Sequence, residues 1–252
     1  MAIYTGPSEP KLYKGSTEVT KAYRGQTEIY SLDDFPVTSG LLVRLDASNS
    51  TSYPGSGNTW YDLSGNGNDA TLYGATYNSG DGHYINFDGV NDRVIYNPTI
   101  TPAATVITVG KSNRSTWNTW AGLGAERTSG GFILHNNNGN TDWTGYWYGS
   151  SASITAASGN TPAPSNIQDW NMYSGTTNGS TSNFWYTNAT QTGTSSVNAL
   201  RTSSHNIQVI LGSDDYGGRY NDLRIHCHLL YNRQLSSTEI STIWSYFSDK
   251  LP

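Results

Sequence analysis

Cysteine is nearly absent: Cys227 stands alone, so no disulfide can close within the chain and nothing implies an oxidising compartment. Charge is scarce as well. Asp, Glu, Lys and Arg make up 13% of the 252 residues, about half the usual share of roughly 25%. With 14 basic against 19 acidic residues the formal charge is −5, which leaves no basic stripe to release counterions from a nucleic acid. Long apolar runs are missing, and Met1 to Tyr13 lacks the charged and apolar regions of a secretory leader. The expectation is a chain made in the cytoplasm that neither inserts into a membrane nor binds nucleic acid. Glutamate is rare too: Glu9, Glu18, Glu28, Glu126 and Glu239 are the only ones, and no Glu-x-Asp-x-Glu strand offers the paired carboxyl groups of a glycoside hydrolase. Asp214 and Asp215 are adjacent in a Gly-rich stretch and read as a solvated turn. Enzymatic chemistry is therefore not expected.

What is abundant is the material of strands and turns. The 8 Trp and 18 Tyr supply more burial than a solvated chain carries, and 27 Gly supply bends. Strand-length runs recur at residues 41–45, 84–87, 93–96, 106–109, 132–134, 184–186, 207–211 and 223–225. Between them lie Asn66-Gly67, Asp81-Gly82, Asp88-Gly89, Asn138-Gly139 and Asn178-Gly179, which tolerate the left-handed conformations of tight turns. Many short strands at regular spacing predict an all-β sandwich. Residues 150–166 are small and polar with two prolines and predict a long loop. One helix is expected near the C-terminus, where Ser236 and Glu239 fit a capping box and Ile240, Ile243, Trp244 and Phe247 recur on one face.

The first segment repeats itself with a ten-residue period. Tyr13-Lys14-Gly15-Ser16-Thr17-Glu18-Val19 returns as Tyr23-Arg24-Gly25-Gln26-Thr27-Glu28-Ile29. Each copy is a strand end, a Gly turn and a new strand, so residues 1–34 predict a three-stranded β meander in which residues 17–23 form one strand shared by two turns. The segment is too poor in apolar residues to hold together alone. It is either the first strands of the sandwich or a separate docking element, with Tyr13, Gly15, Val19, Tyr23, Gly25, Ile29 and Tyr30 as the docking residues. Residues 33–36 read as a short hinge, and residues 35–252 as the main domain.

Two blocks of this main domain carry a family resemblance. Trp60-Tyr61-Asp62-Leu63-Ser64-Gly65-Asn66-Gly67-Asn68-Asp69-Ala70-Thr71-Leu72 with Tyr84-Ile85-Asn86-Phe87-Asp88-Gly89-Val90-Asn91-Asp92 resembles the early motifs of laminin-G-like, concanavalin A-like jelly rolls. Asp222-Leu223-Arg224-Ile225, Leu230-Tyr231-Asn232-Arg233-Gln234-Leu235-Ser236 and Glu239-Ile240 are similar to the closing strand and helix of that family. The resemblance implies a jelly-roll sandwich, a fold that hosts glycan binders, adhesion modules, hydrolases and spacers alike. The N-terminal repeat resembles attachment segments of bacteriophage virion proteins. Together they imply a non-enzymatic virion surface protein, a capsid decoration or a fibre or tail adhesin, made in the host cytoplasm. Its expected partners are other virion proteins, through the N-terminal segment, and cell-surface glycans, with an oligomer on the particle. The alternative is a bacterial carbohydrate-binding or adhesion module, and a glycoside hydrolase comes third.

Three groups of residues are weighed for chemistry. His226 and His228, at i and i+2 of a strand, would face one side and share a transition metal, with Cys227 pointing the other way beside Leu223, Ile225 and Leu229. Jelly rolls of this kind often carry calcium at a loop edge, and Asp62, Asp69, Asp88 and Asp92 sit in the motifs that carry the resemblance, yet the same stretches equally serve as tight turns. Trp117, Trp120, Tyr146 and Tyr148 fall in an aromatic-rich middle region and are candidates for stacking on glycans or anchoring a partner, with core packing as the competing role. Asn49, Asn113, Asn178 and Asn188 match the glycosylation pattern, but without a secretory leader they read as turns.

Overall fold

The structure is a computed structural model. It describes backbone strands at residues 2–4, 11–14, 17–18, 21–24, 27–31, 132–136, 142–147 and 159–162. Backbone and side chains are described over 35–113, 168–194, 204, 206–213 and 220–252, and backbone alone at 195 and 205. The chain divides into two compact units, Met1–Pro36 and Val37–Pro252.

In the first unit β1 (Ala2–Tyr4), β2 (Lys11–Lys14) and β3 (Thr17–Glu18) form one antiparallel sheet, and β4 (Lys21–Arg24) pairs with β5 (Thr27–Ser31) in another. The expected meander is thus divided: within the segment expected as one shared strand, residues 17–18 belong to one sheet and residues 21–23 to another. Each of these strands is only two to five residues long, so replacing a β3–β4 ladder by pairings in two separate sheets forfeits few hydrogen bonds. Tyr13, Tyr23, Ile29 and Tyr30 lie on these strands, with side chains outside the described residues, and Gly15, Val19 and Gly25 lie wholly outside them.

The second unit contains β6 (Leu41–Asp46), β7 (Thr59–Trp60), β8 (Ala70–Tyr73), β9 (Thr76–Asn78), β10 (Tyr84–Asp88), β11 (Arg93–Tyr96), β12 (Thr99–Ile100), β13 (Ala104–Ser112), β14 (Phe132–Asn136), β15 (Asp142–Trp147), β16 (Gly159–Pro162), β17 (Asn171–Thr177), β18 (Asn183–Thr187), β19 (Thr190–Ser195), β20 (His205–Asn206), β21 (Val209–Leu211), β22 (Asp222–Tyr231) and helix α1 (Ser237–Ser248). The largest sheet runs β19-β18-β17-β13-β22-β10-β9, and β6 also pairs with β22. The second sheet runs β21-β11-β8-β7, and all pairings are antiparallel. β16 falls inside the expected loop at 150–166 and pairs with β15. The run at 207–211 is a strand only from Val209, because the Ile207 N–H donates to the Pro98 carbonyl while its side chain enters the core.

Alternation along the strands builds one core between the two large sheets. Ala70, Leu72, Val94, Tyr96, Val209 and Leu211 point inward from the smaller sheet and meet Val43, Leu45, Ile85, Phe87, Val106, Trp185 and Ile225 of the larger one. The opposite face of the large sheet is also apolar, and α1 lies against it. Ile240, Ile243 and Phe247 of the helix are fully buried. Phe247 meets His226 edge-on with ring centroids 5.7 Å apart, and Tyr246 accepts a hydrogen bond from Arg44. The helix begins as its sequence predicts: the Glu239 N–H donates to Ser236 Oγ, and the Ser236 N–H donates to Glu239 Oε2. Arg233 adds a two-pronged ion pair to Glu239, and this guanidinium holds the carboxyl down at about 2.

One irregularity decides where the β22 side chains go. Val109 pairs with Cys227 but Gly110 pairs with Ile225, so His226 has no opposite number on β13 and forms a β-bulge. Leu223 and Ile225 before the bulge and Leu230 after it face the core, and the alternation changes phase between them. A β-carbon at Gly110 would stand 2.6 Å from the Arg224 carbonyl oxygen, so this position needs glycine for close backbone approach rather than for its torsions.

Candidate functional site

A cleft of about 380 Å³ opens beside the C-terminal end of α1, lined by Asp81, Lys111, Gln168, Asp169, Trp170, Trp244, Ser248, Leu251 and Pro252. Ligand pockets commonly measure roughly 300–1,000 Å³, so it lies at the small end of that range. Its charged floor follows from strand register. Lys111 on β13 stands directly opposite Arg224 on β22, a like-charge pair that repels. The Asp81 carboxylate from the β9–β10 connection relieves it: Oδ2 accepts from Lys111 Nζ at 3.0 Å and from Arg224 at 3.2 Å. Asp81 stays half exposed while Lys111 is largely covered.

Aromatic rings hold the two cations. The Lys111 ammonium lies 4.8 Å from the centroid of the Trp170 ring, and the Arg224 guanidinium lies 4.8 Å from that of Tyr84. Tyr84 and Trp170 touch at 5.8 Å, and Trp170 meets His226 edge-on at 6.1 Å. Trp244 closes the helix side of the cleft. Unlike Ile240, Ile243 and Phe247 it is only half-buried, so part of its indole is open to a ligand. The arrangement combines indole surface with carboxylate, ammonium and amide groups, and its floor pairs one carboxylate with two cations.

Sequence reasoning missed this site. Asp81-Gly82 read as a turn and Trp244 as part of a helix face, and nothing in their spacing links them to Trp170. Only the register of β13, β22 and β10 brings them together. The available signal was the Asp169-Trp170 pair heading a strand, an unusual place for a large ring with a polar edge.

Trp117, Trp120 and Tyr148 fall outside the described residues, as do Glu126, Asp214 and Asp215, and Tyr146 is described only as backbone on β15 opposite Ile133.

The histidine pair is corrected by the bulge. His226 and His228 do not face one side: His228 is bonded to Tyr96 at 2.6 Å and to Thr108 at 2.8 Å within the inter-sheet core, whereas His226 meets Trp170 and Phe247 on the helix side. Cys227 is buried but does not belong to the core cluster that Leu223 and Ile225 join. Burial pushes the His228 imidazole down to about 3, so it is neutral and serves as a hydrogen-bonded core residue.

The four aspartates form two turn-building pairs rather than one oxygen cage. Asp62 accepts from the Arg44, Ser64 and Asn68 N–H groups and from Ser64 Oγ, and Asp69 accepts from the Asp62 N–H. Asp88 accepts from the Val90 N–H, and Asp92 from the Asp88 N–H. Among the described residues no group of three or more His, Cys, Asp or Glu is placed to hold a metal ion. The Asn49 and Asn178 side chains likewise accept from backbone N–H groups two residues on, and Asn188 turns β18 into β19 with φ 56°.

No family model matches the chain, and no relative is found among curated proteins. Solved structures share its fold. The botulinum neurotoxin serotype D binding domain superposes over 83% of this chain with a TM-score of 0.62 at 13% identity. This chain spans only 52% of that one. Domain 4 of AbnA, a GH43 extracellular arabinanase from Geobacillus stearothermophilus solved in complex with arabinotriose, matches 81% of this chain and 97% of its own with a TM-score of 0.60 at 16% identity. Trypanosoma rangeli sialidase in complex with sialic acid matches 83% of this chain but 33% of its own, with a TM-score of 0.60 at 17% identity. The chain is thus similar in fold to β-sandwiches found in binding domains and in glycan-processing proteins.

Proposed function

We propose that residues 37–252 form a non-catalytic carbohydrate-binding β-sandwich whose ligand is a neutral saccharide held in the Trp170–Trp244 cleft. The observation that carries this reading is the floor of the cleft. A sugar ring presents an apolar C–H face and a rim of hydroxyls, and the cleft offers a partly open indole on Trp244 beside a carboxylate and an ammonium. Asp81 has one carboxylate oxygen engaged by two cations, and its other oxygen, with the remaining Lys111 protons, suits adjacent hydroxyls as acceptor and donors. Among the described residues Asp81 and Asp169 are matched in number by Lys111 and Arg224, which favours a neutral sugar over an anionic one. The binding and glycan-processing proteins that share the sandwich support the reading by analogy of fold.

The test is a glycan array followed by calorimetry on the protein and on Trp244→Ala and Asp81→Ala. Neutral oligosaccharides should bind, and each substitution should weaken binding by about tenfold, the equivalent of about 1.4 kcal/mol. Equal binding by both variants, or a preference for uronate-rich glycans, would move the site elsewhere.

A second reading concerns the first unit, favoured by its strands pairing within residues 2–31. We propose that it attaches the sandwich to a larger assembly, in the manner of the virion segments its repeat resembles. Deleting residues 1–36 should leave a cooperatively melting sandwich that no longer assembles on particles. Loss of folding would make this unit part of the sandwich instead.

A further inference from the structure

The carboxylate that organises the cleft stands on an unusual piece of backbone. Asp81, Gly82 and His83 are consecutive residues in the left-handed region, with φ of 53°, 93° and 56°. Gly82 adopts this freely, but its neighbours carry β-carbons and stay there only if surrounding groups hold them. Two groups do so. Tyr77 bonds the His83 ring through its hydroxyl at 2.7 Å. From the sheet below, His226 Nδ1 lies 2.6 Å from the Gly82 carbonyl oxygen and 2.9 Å from that of His83.

Carbonyl oxygens only accept, so Nδ1 carries the proton and is the donor to both. The imidazole is fixed in that pose. Trp170 and Phe247 meet it edge-on, and the bulge directs it to this face. Nε2 is buried without a partner, so no competing hydrogen bond draws the ring away from the turn.

Resting on the cleft reading above, we propose that His226 is the positioning residue of the saccharide site: its Nδ1–H, donated to both carbonyls of the left-handed turn, holds the Asp81 carboxylate at the junction of Lys111 and Arg224. It touches no ligand. Its effect passes through Gly82 and His83 to the carboxylate that does.

Two measurements test this, one of them without any ligand. Nitrogen NMR of the imidazoles at pH 7 should show His226 as the Nδ1–H tautomer, and the Gly82 and His83 amide signals should shift in His226→Leu but stay near their places in His226→Asn, whose amide nitrogen offers a donor at the same distance from Cγ. An Nε2–H tautomer, or turn signals indifferent to His226→Leu, would overturn the proposal. In the second measurement arabinotriose is titrated into each variant as a neutral probe. His226→Leu should weaken binding about as much as Asp81→Ala, roughly tenfold, with little further loss in the double variant because the two act in series. His226→Asn should restore binding to within about threefold. Additive losses, or no rescue by Asn, would show that His226 acts only as packing. If the unaltered protein ignores every neutral saccharide, the cleft reading fails, and the tautomer and turn signals still decide whether His226 holds the turn.

Discussion

Acid should unfold this protein through one core histidine. His228 is buried, bonded on both ring nitrogens, and held down at about 3, whereas in the unfolded chain it titrates near the ordinary 6.5. The folded pKa lies below the unfolded one, so between pH 6.5 and 3 the unfolded state binds a proton that the native state refuses. Stability is therefore intact above pH 6.5 and falls as the pH drops, with a limiting slope of about 1.4 kcal/mol per pH unit. From pH 7 to 4.5 the loss from this group alone is about 2.6 kcal/mol, a large fraction of the roughly 5–15 kcal/mol a domain possesses. The paired carboxylates enter lower down: Glu239 is held at about 2, and Arg44 keeps Asp46 below its usual range against the opposing pull of its burial. Asp92, whose carboxyl burial pushes up, works in the opposite sense around the carboxylate range. Urea unfolding followed by tryptophan fluorescence at pH 7, 6, 5 and 4.5, on the protein and on His228→Gln, isolates the histidine contribution. The variant should be less stable at pH 7 and lose stability less steeply. Parallel curves for the two proteins, or a flat curve for the unaltered one, would refute the assignment.

Other outcomes follow from single positions. Gly212→Ala should cost on the order of 2–4 kcal/mol, because the residue has φ 81° and a β-carbon there would collide with the Phe87 ring; a melting temperature within a degree or two of the original would contradict this. Ser236→Ala should cost about 1 kcal/mol through loss of the α1 cap, read as a lower urea midpoint with an unchanged slope. A chelator should leave the melting temperature unchanged, since Asp62, Asp69, Asp88 and Asp92 are committed to backbone donors; a fall of several degrees would restore the calcium reading.

The all-β class, the terminal helix and its cap are legible in the sequence because each rests on a local rule: strand-length runs such as 84–87 and 93–96 separated by turn dipeptides such as Asp88-Gly89, and Ser236 three residues before Glu239. What escaped depends on partners distant along the chain. The face that His226 occupies is set by a bulge, and a bulge is a mismatch between two strands that neither strand's sequence declares. The same mismatch falsified the simple i, i+2 argument for a metal pair. The cleft was hidden for a related reason, since Lys111 and Arg224 become neighbours only through register, and Asp81 acquires its role only once they do. The N-terminal repeat marks strand-length segments, but whether successive strands share a sheet is decided by pairing energies that the pattern leaves open.

The position of β22 also bears on how the sandwich comes into being. Along one edge this strand pairs first with β10 and then with β6, and along the other with β13, so residues 41–46 wait for residues 227–231. During synthesis, β6, β10 and β13 emerge long before the strand that joins them, with their ladder groups open and their apolar faces uncovered. The large sheet therefore cannot close until its central strand leaves the ribosome, and such long-range closure is slow and exposed to misassociation. A chain stalled or truncated before Asp222 should be a substrate for chaperones and proteases rather than a smaller version of the fold.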